Sequence, residues 1–462
     1  YFALMRFLIT LVIFFLGGTV NSIAADCADV NGAAVSISSD CSGRLEVTGD
    51  GSNITIDSGV NVSGQQKPTY NEGIDRYGIE TTDGTNTTIT NNGNIGPTDL
   101  ERHGIFHNTG SGSITAINNN GTIETYETGS GSLGTAIFNK STIGNINNAG
   151  TIKSRGRNAI SQGAGGVITK IDNTGTIWSV QKWALKNITG QIGEIENSGT
   201  IKSDTEVAIR NYGSGSTITL IENESGGTIS APYNTIQNEI DGAEITTITN
   251  AGTITSTGDN GKTIRNYEGA KIGTIINTGT ISTTHSDGNS AIWNGARKNG
   301  GIWHYPEIDS IVNSGTISAA DDRGIFNGGT IGTITNSGTI SAGGNYGIRN
   351  EKTISTITNT GTISAGNDIS IYNNDDNSSL TTLNNSQGAS SSALTFEGKL
   401  PTNYNVMINS GSDYGKVTFS DVSGTTNIGI YASTLAEGTY SSAITGLSSS
   451  NISSGTSGTY SN

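Results

Sequence analysis

The sequence has few of the residues that form thick globular cores. Only 32% of its 462 residues are hydrophobic, whereas an ordinary soluble domain has about 45–50%. There are 5 prolines, 4 tryptophans and 2 cysteines. The low apolar share excludes several large cores. The apolar residues, mainly Ile, are nevertheless regularly spaced, which argues against a disordered chain.

Positive charge is also scarce. The chain has 24 Lys and Arg against 39 Asp and Glu, which gives a formal net charge of −15. Because an acidic surface repels phosphate backbones, no nucleic-acid partner is expected. Gly, Thr, Ser and Asn supply most of the remaining sequence, a mixture that suits strands and turns and argues against long helices.

A motif of the form I-x-N-x-G-x-I recurs along most of the chain. A fixed period of about 25 residues indicates a solenoid, a propeller or another repeat array. The motif begins at Ile89, Ile117, Ile146, Ile171, Ile195, Ile248, Ile275, Ile311, Ile334 and Ile357, and a longer variant begins at Ile221.

The spacing inside the repeat decides between these architectures. Ile, Asn, Gly and Ile stand two residues apart, which is the spacing of one face of a strand. Two further elements lie between the motif copies, Ile-x-Asn as in "AIRN" and I-x-x-I as in "IGTI", and the second is expected to flank a corner. Three short strands and three bends per repeat predict an all-β, parallel β-helix of about 12 coils, because a propeller blade needs about 40–45 residues.

Like residues should then stack in columns from coil to coil. Stacked Ile is expected to fill a narrow core, stacked inward Asn to form amide ladders, and the motif Gly to permit the bend after Asn. The Ile column is Ile95, Ile123, Ile152, Ile177, Ile201, Ile229, Ile254, Ile281, Ile317, Ile340 and Ile363. One Asn column is Asn91, Asn119, Asn148, Asn173, Asn197, Asn223, Asn250, Asn277, Asn313, Asn336 and Asn359. The other is Asn139, Asn187, Asn211, Asn238, Asn266, Asn294, Asn327, Asn350 and Asn373.

The flanking segments suggest further domain boundaries. Residues 5–24 follow the pattern of a secretory signal peptide, with Arg6, an apolar run and small residues before a cut after Ala24. Residues 79–379 are predicted to form the repeats and 25–78 an N-terminal cap with a disulfide. Residues 380–440 are predicted to form a C-terminal non-repeat β cap, and 441–462 a Ser/Gly-rich linker or truncated end. Export to an oxidising compartment predicts a disulfide between Cys27 and Cys41.

The signal peptide, the early cysteine pair and the "ITNSGTIS"-type coils resemble the passenger domain of a Gram-negative autotransporter (type V secretion). The resemblance covers residues 5–462 and implies a right-handed helix, in agreement with the usual crossover rule. It further implies display at the cell surface or release from it, through a C-terminal outer-membrane barrel that this sequence does not contain. The expected function is structural, in adhesion or cell-surface interaction, by a monomer with no enzymatic activity, no metal and no cofactor.

Two other functions remain open. A β-helix polysaccharide-active enzyme would need clustered carboxylates, for which the candidates are Asp321–Asp322–Arg323 and Asp375–Asp376. An ice-binding solenoid would need a regular outward hydroxyl array. Such an array is predicted for Thr228/Ser230, Thr253/Thr255, Thr280/Ser282, Thr316/Ser318, Thr339/Ser341 and Thr362/Ser364.

Candidate binding residues lie mainly in one insertion. The repeat containing residues 295–307 is longer than its neighbours, and solenoid insertions form surface loops. This loop carries Arg297, Lys298, Trp303, His304 and Tyr305 and is predicted to contact a glycan or a surface protein; the alternative is a loop whose aromatic residues pack back on the solenoid. Trp178 and Trp183 form a second possible aromatic patch. His103 and His107 are interpreted as structural, and His285 and His304 as isolated.

Overall fold

The computed structural model describes residues 25–63, 77–96, 103–108, 110, 112–126, 134–374, 377–388, 391–431 and 439–453. Within these ranges the chain is a β-solenoid of parallel strands stacked in three sheets, with a single 3₁₀ helix at Ser449–Asn451. The predicted parallel β-helix is confirmed, and its right-handed sense stays a prediction. The proposed signal peptide lies outside the described residues, as do Asp375 and Asp376. Nothing in the described ranges is a helix long and apolar enough to cross a membrane.

As far as Ser379–Asn385, each coil contributes one strand to each sheet in the same order, and the described coils beyond it contribute strands only to the second and third sheets. The first sheet contains Ala25–Asp26, Cys41–Ser42, Asn61–Ser63, Asn94–Ile95, Thr122–Thr125, Thr151–Ser154, Thr176–Ser179, Thr200–Ser203, Thr228–Ala231, Thr253–Ser256, Thr280–Thr283, Thr316–Ala319, Thr339–Ala342 and Thr362–Ala365. The second contains Val30–Asn31, Leu45–Thr48, Tyr77–Thr81, His103–His107, Thr135–Asn139, Ile160–Gln162, Leu185–Ile188, Val207–Tyr212, Asn234–Glu239, Lys262–Tyr267, Ser290–Gly295, Arg323–Asn327, Tyr346–Asn350, Ile369–Asn373, Leu394–Lys399, Val417–Ser423 and Ile444–Thr445. The third contains Ala34–Ile37, Asn53–Ile56, Thr87–Asn91, Ser113–Asn119, Thr142–Asn148, Val167–Asn173, Gln191–Asn197, Thr217–Asn223, Glu244–Asn250, Lys271–Asn277, Glu307–Asn313, Thr330–Asn336, Thr353–Asn359, Ser379–Asn385, Asn403–Met407 and Asn427–Tyr431.

The segments predicted to be caps are built from further coils. At the C-terminal end, Leu394–Lys399 pairs in parallel with Ile369–Asn373, and Asn403–Met407 pairs with Ser379–Asn385. At the N-terminal end, Ala34–Ile37 starts the third sheet. The interior simply changes composition in the C-terminal coils, where buried aromatic residues such as Phe396 replace Ile. The sequence leaves the repeat there, but the stack of coils continues.

A disulfide ties the first two coils together. Cys27 follows the first strand of the first sheet and Cys41 begins the second, and the two are bonded with their Cα atoms 5.0 Å apart. Both side chains are buried at the N-terminal end of the core.

The core is a set of stacked Ile columns. Ile254, Ile281 and Ile317 pair in register on three successive coils and are fully buried. Because parallel coils lie about 4.8 Å apart, each β-branched side chain packs against identical side chains above and below it.

The I-x-x-I element does not flank a corner. Ile143 and Ile146 both point inward from the single strand Thr142–Asn148, and the strand register skips the residue after Ile143. A local irregularity within one strand therefore brings both Ile side chains into the core, and the prediction of a corner there was wrong.

The first Asn column forms a continuous buried ladder. In each coil the Asn Nδ2 donates to the Oδ1 of the Asn in the next coil, from Asn91 through to Asn385, at 2.7–3.1 Å. The same Nδ2 groups also donate to backbone carbonyls at the bend, as Asn277 does to Gly279 and Thr316. The ladder thus satisfies polar groups that burial would otherwise leave unpaired.

The second Asn column is interrupted. It runs unbroken from Asn187 to Asn373, but Gln162 stands between Asn139 and Asn187. Asn139 donates to Gln162 at 2.7 Å, whereas the buried Oδ1 of Asn187 has no hydrogen-bond partner. One coil earlier the column position is held by His107, which is buried and 2.6 Å from the Thr81 hydroxyl.

The substitution Gln162→Asn should repair this interruption. An Asn in register with Asn187 can donate to its unpaired Oδ1, so we expect the free energy of unfolding to rise by about 1 kcal/mol. Guanidinium unfolding followed by circular dichroism measures the change. Gln162→Ala is the control, and it should destabilise; a Q162N variant no more stable than the parent contradicts the ladder interpretation.

Candidate ligand-binding face

The second sheet presents aromatic and cationic side chains outward. In its strands from His103–His107 to Ile369–Asn373, an inward Ile or Leu and an inward Asn, Gln or His flank one outward residue, because side chains alternate along a strand. From coil to coil this outward position is in register and holds Phe106, Phe138, Ser161, Lys186, Arg210, Gln237, Arg265, Trp293, Phe326, Arg349 and Tyr372. We call the outward surface of this sheet between Trp183 and Tyr372 the aromatic face.

The cations of the aromatic face lie against aromatic rings. The guanidinium carbon of Arg210 is 4.8 Å from the ring centre of Trp183 and 4.3 Å from that of Tyr212. Arg265 lies 4.0 Å from the Tyr267 ring and 5.3 Å from the Trp293 ring. Each such contact contributes on the order of 0.5–1 kcal/mol.

Aromatic rings also stack on one another across the aromatic face. The ring centres of Trp293 and Phe326 are 5.6 Å apart, and those of Tyr346 and Tyr372 are 5.0 Å apart. The side chains are half-buried by their neighbours, and because the stacked rings cover part of one another's faces, their edges are the accessible parts.

Only some of these cations have carboxylate partners. Arg210 pairs with Glu239 at 2.8 Å, and Arg349 pairs with Glu351. Among the described residues, no carboxylate lies within ion-pair distance of Lys186 or Arg265. The aromatic face therefore carries uncompensated positive charge on a chain that is acidic as a whole.

The surroundings of Lys186 change its pKa. Burial, followed by the guanidinium groups of Arg210 and Arg157, lowers the pKa of Lys186 to about 8. Its Nζ lies 4.2 Å from the centre of the Trp183 ring, a contact that favours the charged form and offsets part of the burial.

The Lys186 pKa predicts a pH-dependent change in stability. Because its pKa is lowered, Lys186 is neutral in the folded state but still protonated in the unfolded state between about pH 8 and 10.5. The charged amine therefore lowers the free energy of unfolding by its full amount below pH 8, and this destabilisation disappears by pH 10.5. We expect Lys186→Gln to be about 1 kcal/mol more stable than the parent at pH 7, after allowance for solvent screening. Denaturant unfolding at several pH values should show this advantage shrinking between pH 8 and 10.5. A difference that is constant across this range contradicts the assignment.

The insertion at 295–307 forms an antiparallel hairpin. Arg297–Asn299 pairs with Ile302–His304 around Gly300 and Gly301, which both have the positive φ that a two-residue hairpin turn requires. Trp303 is 52% exposed and Tyr305 45%, and their ring centres are 6.1 Å apart. The aromatics predicted to form a contact surface are thus open to solvent.

Glu268 fixes the hairpin beside the aromatic face. Its buried carboxylate accepts hydrogen bonds from Arg297 and Asn299, both at 3.0 Å. Arg297 also lies 5.9 Å from the ring of Tyr267, which packs against Trp293. Of the other predicted loop residues, Lys298 is exposed and His304 is half-buried, 3.9 Å from the Asp241 carboxylate.

The two tryptophans predicted as one patch lie on different sides of the solenoid. Trp178 faces outward from the first sheet, where its ring lies between the ammonium groups of Lys153 and Lys202, at 4.2 and 3.9 Å. Trp183 lies on the aromatic face. The structure therefore unites Trp183 with the Arg-rich column and leaves Trp178 apart from it.

The remaining candidates are placed as follows. The Asp322 carboxylate is engaged by Arg323 at 3.0 Å and by the Asn345 amide at 2.7 Å.

His285 is not isolated: its Nδ1 lies 2.5 Å from Asp259 Oδ1, and Asp287 is close enough for the three to form a possible metal-ligand group. The predicted Thr/Ser columns of the first sheet are in register and half-buried.

Comparison of the chain with protein-family models, with curated proteins and with solved structures finds no match. The function must therefore be inferred from the arrangement of the side chains alone.

Proposed function

We propose that this protein is an exported surface adhesin, in which a rigid β-solenoid presents the aromatic face and the adjoining hairpin to a polysaccharide. The observation that carries the proposal is the column of stacked rings and guanidinium groups on one flat sheet. Exposed aromatic side chains such as Trp303 can contact the apolar faces of sugars, while the polar and cationic groups of the column beside them bind hydroxyls. The resemblance to autotransporter passengers and the signal-like residues 5–24 support export.

The shape of the face favours an extended ligand. Its outward side chains are in register on successive coils about 4.8 Å apart, which is close to the length of one sugar in an extended chain, and Trp293 and Phe326 place rings on adjacent coils. A polysaccharide running along the solenoid can therefore place successive sugars over successive coils.

A glycan array of immobilised polysaccharides tests the proposal with the full chain. We expect the double variant Trp293→Ala and Phe326→Ala to bind at least about tenfold more weakly, because both are neighbours in the stack. Tyr431→Ala is the matched control, since Tyr431 is 54% exposed but lies on the third sheet. Binding that is unchanged in the double variant, or lost equally in the control, contradicts the proposal.

The hairpin provides a second, independent variant. We expect deletion of 296–306 to weaken binding, because Trp303 and Tyr305 extend the ring surface beside the aromatic face. Full retention of binding after this deletion would exclude the hairpin from the contact surface.

Ice binding is a second candidate function, favoured by one observation. The outward hydroxyl columns are in register over six successive coils, for example Thr253, Thr280 and Thr316. Regular outward Thr arrays bind ice in some solenoids. An ice-recrystallisation assay of the parent and Thr280→Lys tests it, and a parent protein without inhibition excludes it.

A further inference from the structure

The cations of the aromatic face restrict the class of polysaccharide. Building on the proposed function, we propose that the ligand is an acidic polysaccharide whose carboxylate or sulfate groups lie against Lys186 and Arg265. These two cations have ring contacts but no carboxylate partner among the described residues.

The first argument is the local charge. Lys186 lies beside Arg210 and Arg157, and a second crowded group is formed by Lys262 with Arg265 and Arg323. Burial, followed by the guanidinium groups of Arg265 and Arg323, lowers the pKa of Lys262, and the Asp322 carboxylate, which pairs with Arg323, offsets part of this effect. Like charges held together on a half-buried surface repel one another, and a bound anion relieves that repulsion.

The second argument is the placement of the two cations. Lys186 and Arg265 occupy the same column, three coils apart, with Arg210 and Gln237 between them. Their separation is therefore about 14 Å along the solenoid. One extended chain can pass over both cations and the neighbouring Trp293, whereas a small anion can reach only one of them.

Single-stranded nucleic acid is the main competing ligand, because it too binds aromatic rings alternating with cations. It carries a charge on every residue, however, and the whole chain repels it with a net charge of −15. The carboxylates of Glu239 and Glu351 also lie on this side of the solenoid, paired with Arg210 and Arg349. They would repel phosphates but can accept hydrogen bonds from sugar hydroxyls. A polysaccharide with a lower charge density fits this mixed surface better.

The test uses matched pairs of soluble polymers with the full chain at about 0.15 M salt, where screening confines electrostatics to about 8 Å. The pairs are hyaluronan with carboxyl-reduced hyaluronan, and κ-carrageenan, which has one sulfate per two sugars, with desulfated κ-carrageenan; oligothymidylate represents nucleic acid. We expect an acidic member to bind at least about tenfold more tightly than its neutral partner. The two pairs distinguish carboxylate from sulfate recognition.

The variants separate local recognition from general attraction. The double variant Lys186→Gln and Arg265→Gln should lose this preference, while its binding to the neutral polymer changes little. Lys271→Gln is the charge control, because Lys271 lies on the third sheet and pairs with Asp309 at 3.0 Å. Affinity electrophoresis of each protein in gels containing each polymer gives the comparison.

Each outcome supports or rejects a distinct claim. Equal binding of charged and neutral partners overturns the acidic-ligand inference but leaves the proposed polysaccharide function intact. Binding to none of these polymers, nor to any glycan on the array, rejects the proposed function itself. Tighter binding of oligothymidylate with the same dependence on Lys186 and Arg265 rejects the inference in favour of nucleic acid. Equal loss of binding in Lys271→Gln shows non-specific attraction and also overturns it.

Discussion

Replacing Asn313 by alanine should lower the free energy of unfolding by about 3–5 kcal/mol, because it removes a fully embedded member of the Asn ladder. The Asn313 Oδ1 accepts from Asn277 at 2.8 Å, and its Nδ2 donates to Asn336 at 2.8 Å. The Nδ2 group also donates to the carbonyls of Gly315 and Thr339. The substitution therefore leaves several buried groups unpaired in three coils at once.

An exposed Asn pair supplies the control for this experiment. Asn120 donates to Asn92 at 2.8 Å on the solvent side of the equivalent bends in two other coils. Because water can replace this bond, Asn120→Ala should change stability by less than about 0.5 kcal/mol. Guanidinium unfolding of the three proteins gives the comparison. If Asn120→Ala and Asn313→Ala lower the free energy of unfolding by similar amounts, burial does not make the ladder hydrogen bonds more stabilising than exposed ones.

The sequence was sufficient to predict the Ile and Asn columns, because a solenoid requires identical inward residues in successive coils. Ile254, Ile281 and Ile317 repeat for that reason, and the structure places them in register. The end coils were harder to predict. There the interior is filled by residues such as Phe396 and Tyr404, which preserve the strand alternation but not the identity of the column.

The aromatic face escaped the sequence analysis although its residues were visible in it. The variable letter in "AIFN", "AIRN" and "AIWN" is the outward residue, but outward positions need not match between coils, so no identical column draws attention to them. Only the register of Arg265, Trp293 and Phe326 shows that these residues are neighbours. The hairpin was easier to locate, because an insertion breaks the repeat length.

Contacts between turns of adjacent coils were likewise beyond the sequence pattern. Asp259 and His285 come from different coils and meet only because the corners between the first and second sheets stack. Without the register of the corners, neither residue indicates a partner. The interpretation of His285 as isolated was wrong for that reason.

The second large effect is expected at the motif glycines, where Gly338→Ala should cost about 3 kcal/mol or more. The sequence analysis attributed these glycines to conformational freedom at the bend, but the structure gives another reason. Gly338 does not have a positive φ, and a Cβ added to it would lie 2.1 Å from the carbonyl oxygen of Gly315 in the preceding coil. That carbonyl accepts the Thr339 N–H at 2.9 Å, so a methyl group must push the coils apart and weaken this bond.

The position of the destabilised coils tests this explanation as well as the size of the stability loss does. In a solenoid each coil contacts only its neighbours, so the loss should be confined to coils near the substitution. Hydrogen exchange in Gly338→Ala should accelerate in Thr316–Ala319 and Thr339–Ala342, while the distant strand Thr176–Ser179 keeps its protection. Gly411→Ala is the matched control, because a Cβ there meets no atom within 4 Å. If hydrogen exchange around residue 338 is unchanged in the variant, the coils can accommodate a methyl group there. The close contact would then not explain why glycine recurs at this position.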